Sequence, residues 1–171
     1  VAIRQPPMTD TEKQSTGSYT PDNVHYAFAD HVDFGDKKVC GIKLSYRCNN
    51  NCLYCSCGHD RPDRMPACPL FLSDVSDLLP RLREENVEVV SYLGGEPTIH
   101  PEIVDIVALT ASYGFREVGV ASNGRRFAYP SFTRAMINAG LTNAQITVHA
   151  HQAEMADYLA QTAGVLDQQK R

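Results

Sequence analysis

The feature of this sequence that most constrains its fold is a fourfold alternation of short apolar segments with longer amphipathic ones. The short segments are rich in Val and Ile, and the longer ones carry apolar residues at helical spacing. Parallel strands need crossovers, which helices supply, so the alternation predicts an α/β class with a parallel sheet and right-handed connections. The predicted strands are residues 38–46, 87–93, 115–122 and 143–150, and the predicted helices are 72–86, 100–114, 129–140 and 152–170.

A chemically suggestive segment follows each predicted strand. The four segments are a cysteine-rich loop, then GGEP, SNG and HAH, in chain order. In barrels of parallel strands, the loops at the carboxyl ends of the strands carry the active site. We therefore expect the four segments to meet on one rim of the sheet.

Length, charge and hydropathy exclude several classes of protein. The chain has 171 residues and a net charge of −4, with Lys and Arg scattered, which does not resemble a nucleic-acid binder. It has no apolar run of the roughly 18–20 residues that a membrane span needs, and its start is not an export signal. A cytoplasmic location with reduced thiols is expected. Residues 1–37 are expected to form a flexible or extended segment, with a strand or loose hairpin at 24–34, and residues 38–171 to form the folded domain.

Three of the six cysteines form the pattern C-x3-C-x2-C at Cys48, Cys52 and Cys55. Three thiolates on one loop can bind three irons of a [4Fe–4S] cluster and leave the fourth iron for another ligand. A zinc site would instead need four protein ligands, and Cys57, Cys68 or His59 could supply the fourth. A non-enzymatic zinc or electron-transfer iron–sulfur domain therefore remains the alternative.

The GGEP segment at residues 94–97 follows the second predicted strand directly. Gly94 and Gly95 lack a Cβ, so a ligand can lie close against their backbone. Glu96 offers a carboxylate that can accept hydrogen bonds from an ammonium group. The structural alternative is a tight strand-to-helix turn with an exposed acid.

Taken together, CNNNCLYC and GGEP resemble the radical S-adenosylmethionine (SAM) superfamily. The segments ASNGRRF and ITVHAHQAEMADYL resemble the third and fourth strand ends of that family, so the resemblance covers about residues 39–160. It implies that Cys48, Cys52 and Cys55 ligate a [4Fe–4S] cluster and that the amine and carboxylate of SAM chelate the fourth iron.

The resemblance also implies a cofactor-binding role for residues outside the cysteine motif. Glu96, with the backbone of Gly94 and Gly95, would hold the methionyl amine. Ser122 and Asn123 would contact the methionyl carboxylate or the ribose, and Thr147 would supply a ribose-binding hydroxyl. Tyr54 would pack beside the adenine.

The chemistry implied by the resemblance is reductive cleavage of SAM. A low-potential donor of the flavodoxin or ferredoxin type would supply one electron, and the resulting 5′-deoxyadenosyl radical would abstract hydrogen from a substrate. A peptide is the leading expectation for that substrate, followed closely by a nucleoside or a small cofactor precursor.

The pattern departs from the family in having only about four βα units, fewer than a family catalytic domain usually presents. The expected fold is thus a partial parallel (β/α) barrel whose last parallel strand is an exposed edge. A truncated chain is the favoured explanation; a second chain, a missing C-terminal half or dimerisation could complete the barrel. We expect no robust substrate turnover from the chain alone.

Several residues have ordinary structural interpretations. Cys40 is expected in the core, since free cysteine is commonly buried. His149 and His151 would point the same way from an extended segment, and polar pocket lining is favoured over a metal pair. For Arg125 and Arg126, solvated surface is favoured over binding of a carboxylate or phosphate.

Overall fold

A computed structural model describes residues 27–28, 37–55, 57 and 69–171. In these ranges five strands form one sheet in the order β1-β2-β3-β4-β5. β1 pairs antiparallel with β2, and the other neighbours pair in parallel. The strands are β1 Ala27–Phe28, β2 Val39–Ser45, β3 Val89–Gly94, β4 Glu117–Ser122 and β5 Asn143–Ile146.

Helices connect the parallel strands, which confirms the predicted α/β class and the partial barrel of four βα units. The helices are α1 Leu72–Glu84, α2 Ile103–Ser112, α3 Pro130–Asn138, α4 Ala153–Ala160 and α5 Val165–Gln169, with 3₁₀ turns at Pro97–Ile99 and Arg125–Ala128. The predicted boundaries hold within a few residues. Most of the predicted flexible segment, and of the strand at 24–34, lies outside the described residues.

The last predicted helix is wrong, because it is two helices rather than one. Gln161 and Gly164 have φ angles of 48° and 72°, which ends α4 and starts α5 in a new direction. The Asp157 carboxylate accepts hydrogen bonds from the N–H groups of Gly164 and Val165, at 2.7 and 2.9 Å. These bonds satisfy backbone donors at the start of α5, so a short second helix forms.

α1 begins at Leu72, the first residue of the predicted helix. Acidic side chains cap its first turn. Asp74 accepts a hydrogen bond from the Phe71 N–H at 2.7 Å, and Glu102 accepts one from the Leu72 N–H at 2.9 Å. The cap therefore comes from one residue inside the helix and one from the segment before α2. Pro80 is exposed and lies within the helix, which continues past it.

The core lies where the helices pack on the sheet. β2, β3 and β4 contribute buried apolar side chains, and Leu79, Ile106 and Met136 cover them from three helices. Cys40 is buried in this core as predicted, and burial raises the pKa of its thiol to about 11. The buried Tyr92 hydroxyl is satisfied by Thr110, at 2.5 Å.

β5 differs from the other parallel strands because all four of its residues are exposed. Its described partner is β4 alone, so one edge of the described sheet carries unpaired backbone groups. This matches the exposed edge expected from the sequence. No helix in the described ranges is long and apolar enough to cross a membrane.

Candidate functional site

The cysteine loop begins three residues after β2 and is held by the C-terminal end of α4. The N–H groups of Asn51 and Leu53 donate hydrogen bonds to the carbonyls of Ala160 and Leu159, each at 3.0 Å. These carbonyls lie in the last turn of α4, where helical partners run out. The loop is therefore fixed by the last βα unit as well as by the strand before it.

The side chains of Cys48, Cys52 and Cys55 are each half-buried. Burial raises the pKa of Cys48 to about 11, and the nearby Glu96, Cys52 and Cys55 add to the rise. Burial, followed by the charge of Cys55, also raises the pKa of Cys52. The three thiols thus lie close enough to influence one another.

The donor set fits an iron–sulfur cluster, because soft thiolates are the ligands that such clusters take. Within the described ranges, no three His, Cys, Asp or Glu side chains already stand in a metal-coordinating arrangement. The loop supplies three donors of the right chemistry, and their protons would leave when a metal binds.

Gly94 and Gly95 are required by the chain's own backbone. The Gly95 and Glu96 N–H groups donate to the carbonyls of Ser45 and Arg47, at 2.7 and 2.8 Å. A Cβ at either glycine would approach the Ser45 or Arg47 oxygen to under 3.0 Å, and Gly94 also has a φ of 136°. The glycines thus let the GGEP turn pack against the chain leading into the cysteine loop, a reason that the sequence did not reveal.

Glu96 joins the GGEP turn to the SNG turn. Its side chain is buried, at 1% exposure. One carboxylate oxygen accepts hydrogen bonds from the Thr98 N–H, the Thr98 hydroxyl and the Ser122 hydroxyl, at 3.0, 2.5 and 2.8 Å. The other accepts the Asn123 N–H at 2.6 Å. The carboxylate is therefore a structural acceptor, and the exposed acid of the structural alternative is wrong.

Asn123 in turn joins the SNG turn to the cysteine loop. Its side-chain amide donates to the Asn49 side-chain oxygen at 2.6 Å and lies 3.9 Å from the Cys48 sulfur. Ser122 and Asn123 are both buried, and the Ser122 hydroxyl also accepts the Gly124 N–H at 2.9 Å. The cysteine loop, GGEP and SNG thus form one hydrogen-bonded unit.

The segment after β5 completes the rim. The Thr147 N–H donates to the Ser122 carbonyl at 3.0 Å, which places Thr147 beside the SNG turn. His149 Nε2 lies 3.4 Å from the Cys52 sulfur, and Nδ1 is hydrogen-bonded to the Tyr54 hydroxyl. The two rings meet edge-on, with centroids 5.3 Å apart. His151 is exposed, so the two histidines are not equivalent.

Tyr54 is 56% exposed, so its ring is open to a ligand beside the cysteine loop. Desolvation, followed by the neighbouring Cys52, raises the pKa of its hydroxyl. A protonated phenol can donate to the ring nitrogen of His149.

Arg125 and Arg126 are not solvated surface, contrary to the sequence-based interpretation. Arg125 Nη1 donates to the Asn49 carbonyl and the Asn50 side-chain oxygen, at 2.6 and 2.9 Å, and its Nε donates to Gln168. Arg126 donates to the Thr98 carbonyl and lies over the Phe132 ring, 4.3 Å from its centroid. The two arginines therefore brace the cysteine loop and the GGEP turn.

Gln168 and Gln169, at the end of α5, are site residues that the sequence did not indicate. The Gln169 amide donates to the carbonyls of Asn123 and Thr147, at 2.6 and 2.9 Å. In the sequence, Arg125 stands directly after the SNG motif, but no pattern identified the glutamines as its partners. Gln169 thus links the third and fourth strand ends, and Gln168 accepts a hydrogen bond from Arg125.

Cys57 lies near the GGEP turn, with its sulfur 3.5 Å from the Gly94 carbonyl oxygen. The other candidates for a fourth metal ligand, His59 and Cys68, lie outside the described residues.

A family model described as the Radical SAM superfamily matches residues 42–169, which is more than half of the chain. The match includes the cysteine loop and the strand ends that surround it.

Three relatives illustrate what this chain is similar to. Molybdenum cofactor biosynthesis protein moc-5 of Caenorhabditis elegans is 33% identical over 114 residues, which is 66% of this chain and 19% of that protein. A probable GTP 3′,8-cyclase of Methanothermobacter thermautotrophicus is 30% identical over 120 residues, 68% of this chain and 38% of that protein. A 7,8-dihydro-6-hydroxymethylpterin dimethyltransferase of Methanocaldococcus jannaschii is 26% identical over 106 residues, 61% of this chain and 21% of that protein.

The alignments span less than two fifths of these relatives' own lengths. The family match and the geometry of the site agree, and the chain belongs to the radical SAM superfamily, an enzyme family whose members bind a [4Fe–4S] cluster and S-adenosylmethionine.

Proposed function

We propose that this chain is the cofactor-binding part of a radical SAM enzyme. The observation that carries the proposal is the hydrogen-bonded unit formed by the cysteine loop, GGEP and SNG at the carboxyl ends of the strands. Three cysteine side chains lie on a loop next to a buried carboxylate and polar turns, as a cluster and a charged small molecule would require.

The residue roles follow from this arrangement. Cys48, Cys52 and Cys55 would ligate three irons of the cluster. Glu96 has three donors on one oxygen and one on the other, so its second oxygen retains capacity for an ammonium hydrogen bond. Ser122 and Asn123 would border the methionyl carboxylate or ribose, with Thr147 beside them and Tyr54 against the adenine.

When bound, the cluster and SAM supply one-electron cleavage of the sulfonium carbon–sulfur bond and hydrogen abstraction from a substrate. The chain's own residues position these cofactors: Arg125 and α4 hold the cysteine loop, and Glu96 holds the two polar turns together. We further propose that a flavodoxin or ferredoxin type of protein provides the electron.

The substrate class is a separate proposal. The relatives are named for molybdenum cofactor biosynthesis, a GTP cyclase and a pterin dimethyltransferase, and these names favour a nucleotide or pterin-like small molecule. They give no support to the peptide substrate expected from the sequence. The likeness covers only part of each relative, so it bears on the cofactor site more directly than on the substrate pocket.

Anaerobic reconstitution tests the cofactor proposal. The chain is incubated with iron and sulfide, reduced with dithionite, and studied by EPR with and without SAM. We expect a reduced [4Fe–4S] signal that changes shape when SAM is added. Cys52→Ser should lose the signal, and Cys57→Ser, outside the three-cysteine motif, should retain it.

The same experiment distinguishes the alternative thiolate metal domain. Zinc without iron, or a cluster signal that SAM leaves unchanged, would contradict the radical SAM proposal. Loss of the cluster in Cys57→Ser would do so too, because it would show a fourth protein ligand. For the substrate class, single-turnover formation of 5′-deoxyadenosine is measured with GTP, a reduced pterin or a peptide mixture, because repeated turnover is not expected from the chain alone. Stimulation by the peptides alone would contradict the small-molecule proposal.

A further inference from the structure

His149 is a polar side chain outside the cysteine loop that lies against a proposed cluster ligand. Its Nε2 lies 3.4 Å from the Cys52 sulfur, and its Nδ1 is hydrogen-bonded to the Tyr54 hydroxyl. The motif match assigned no role to this histidine, and its position 97 residues after Cys52 gave no sign of the contact.

The direction of these hydrogen bonds follows from the groups involved. A metal-bound thiolate can only accept, so the proton of a neutral imidazole would lie on Nε2 and point at the sulfur. Nδ1 is then an acceptor, and the Tyr54 hydroxyl donates to it. Such a bond on the second nitrogen fixes both the tautomer and the orientation of the ring.

We propose that His149 donates a hydrogen bond to the cluster-bound sulfur of Cys52 and thereby raises the reduction potential of the cluster, with Tyr54 as the positioning residue that holds the ring. This inference rests on the proposed function, because it needs a cluster on Cys52.

The physical basis is the charge that the cluster gains on reduction. Hydrogen bonds to cluster sulfurs are among the factors that set its potential. Reduction adds negative charge that is shared with the thiolates, and a donor at the sulfur stabilises the reduced form more than the oxidised form. The half-buried setting of Cys52 and His149 keeps this interaction from being fully screened by water.

The test is an EPR-monitored redox titration of the reconstituted chain without SAM. His149→Phe keeps a ring of similar shape and removes the donor. We expect its reduction equilibrium constant to fall roughly tenfold, which for a one-electron couple is a potential about 59 mV more negative. Tyr54→Phe should shift the potential in the same direction but less, because the His149 imidazole loses the hydrogen bond that orients it and keeps its N–H donor.

Two further variants make the result specific. His149→Gln restores an N–H donor and should recover part of the shift. His151→Phe changes the exposed histidine two residues away, which has no described hydrogen bond to the cysteine loop, and should leave the potential unchanged. An unchanged potential in His149→Phe would overturn the proposal. Equal shifts in His149→Phe and His151→Phe would overturn it too.

If His149→Phe fails to load a cluster, Tyr54→Phe decides, and an unchanged potential in that variant overturns the inference. The proposed function is judged separately: a wild-type cluster whose EPR signal responds to SAM supports it even when the histidine variants show no shift.

Discussion

Glu96 shows how much a single buried carboxylate contributes to this rim. It accepts hydrogen bonds from Thr98, Ser122 and Asn123, which belong to the second and third strand ends. Hydrogen bonds to a charged group are stronger than neutral ones. Without this carboxylate, the buried Asn123 N–H would have to find another acceptor, and the SNG turn would lose its link to GGEP.

At the residue scale, we predict that Glu96→Gln destabilises the fold by about 1.5–3 kcal/mol, because a neutral amide replaces the charged acceptor. Urea unfolding followed by circular dichroism measures the change. Glu117→Gln is the matched control: Glu117 pairs with Lys37 at the surface, and its loss should have little effect. Equal stability of Glu96→Gln and the wild type would contradict the role given to the carboxylate.

Among the elements, the GGEP turn and the cysteine loop depend on close backbone packing. The N–H groups of the GGEP turn donate to carbonyls at the end of β2 and just after it. The N–H groups of Asn51 and Leu53 in the cysteine loop donate to carbonyls of α4. Each contact joins segments distant in the sequence. The cysteine loop is consequently held on two sides before any metal binds.

At the element scale, we predict that Gly95→Ala costs about 3 kcal/mol or more, because the new Cβ meets backbone atoms of Tyr46 and Arg47 that cannot rotate away. The same unfolding measurement, with EPR of the reconstituted cluster, should show lower stability and reduced loading. Gly119→Ala in β4 is the control, because its nearest neighbours lie at 3.4 Å or more. If the two variants are equally stable, the close packing is not needed.

For the whole molecule, the described sheet ends at a strand without a cover. β5 is exposed along its length; Ile146 at its carboxyl end is 39% exposed, and Val148, two residues beyond the strand, is 55% exposed. Unpaired strand edges with apolar side chains promote pairing with another chain. In a larger assembly the same edge would accept the next strand of the barrel, whether from a second chain or a C-terminal half, and we propose such a completion.

At this scale, we predict that the isolated chain self-associates in a concentration-dependent way. Light scattering coupled to gel filtration measures it, and Val148→Lys should shift the chain toward the monomer because charge at an edge opposes pairing. Ile137→Lys, an equally exposed apolar position on α3, is the control and should have a smaller effect. A wild-type chain that stays monomeric at high concentration would show that the exposed edge does not drive self-association.

Local patterns were sufficient to predict the class of fold, the order of its elements and the family. The Val-rich runs and the helical spacing of apolar residues predicted the alternation of strands and helices, because each of these patterns is contained within a single element. The cysteine spacing and GGEP indicated the cofactor chemistry through their resemblance to the radical SAM superfamily, because each motif is a short run of neighbouring residues. The core position of Cys40 also followed from its place in a predicted strand.

What only the tertiary structure decided are the contacts between segments that lie far apart in the chain. Arg125 was interpreted as surface, yet it donates hydrogen bonds to the cysteine loop. Glu96 was expected to bind a ligand, yet its carboxylate already joins two turns of the chain itself. His149 lies against Cys52 although 97 residues separate them in the sequence. Hydrogen bonds of this kind depend on strand register and on the direction in which a helix returns to the sheet. Neither can be predicted from the local sequence around one of the two partners. The sequence determines which groups are present at the rim, and packing determines which of them meet.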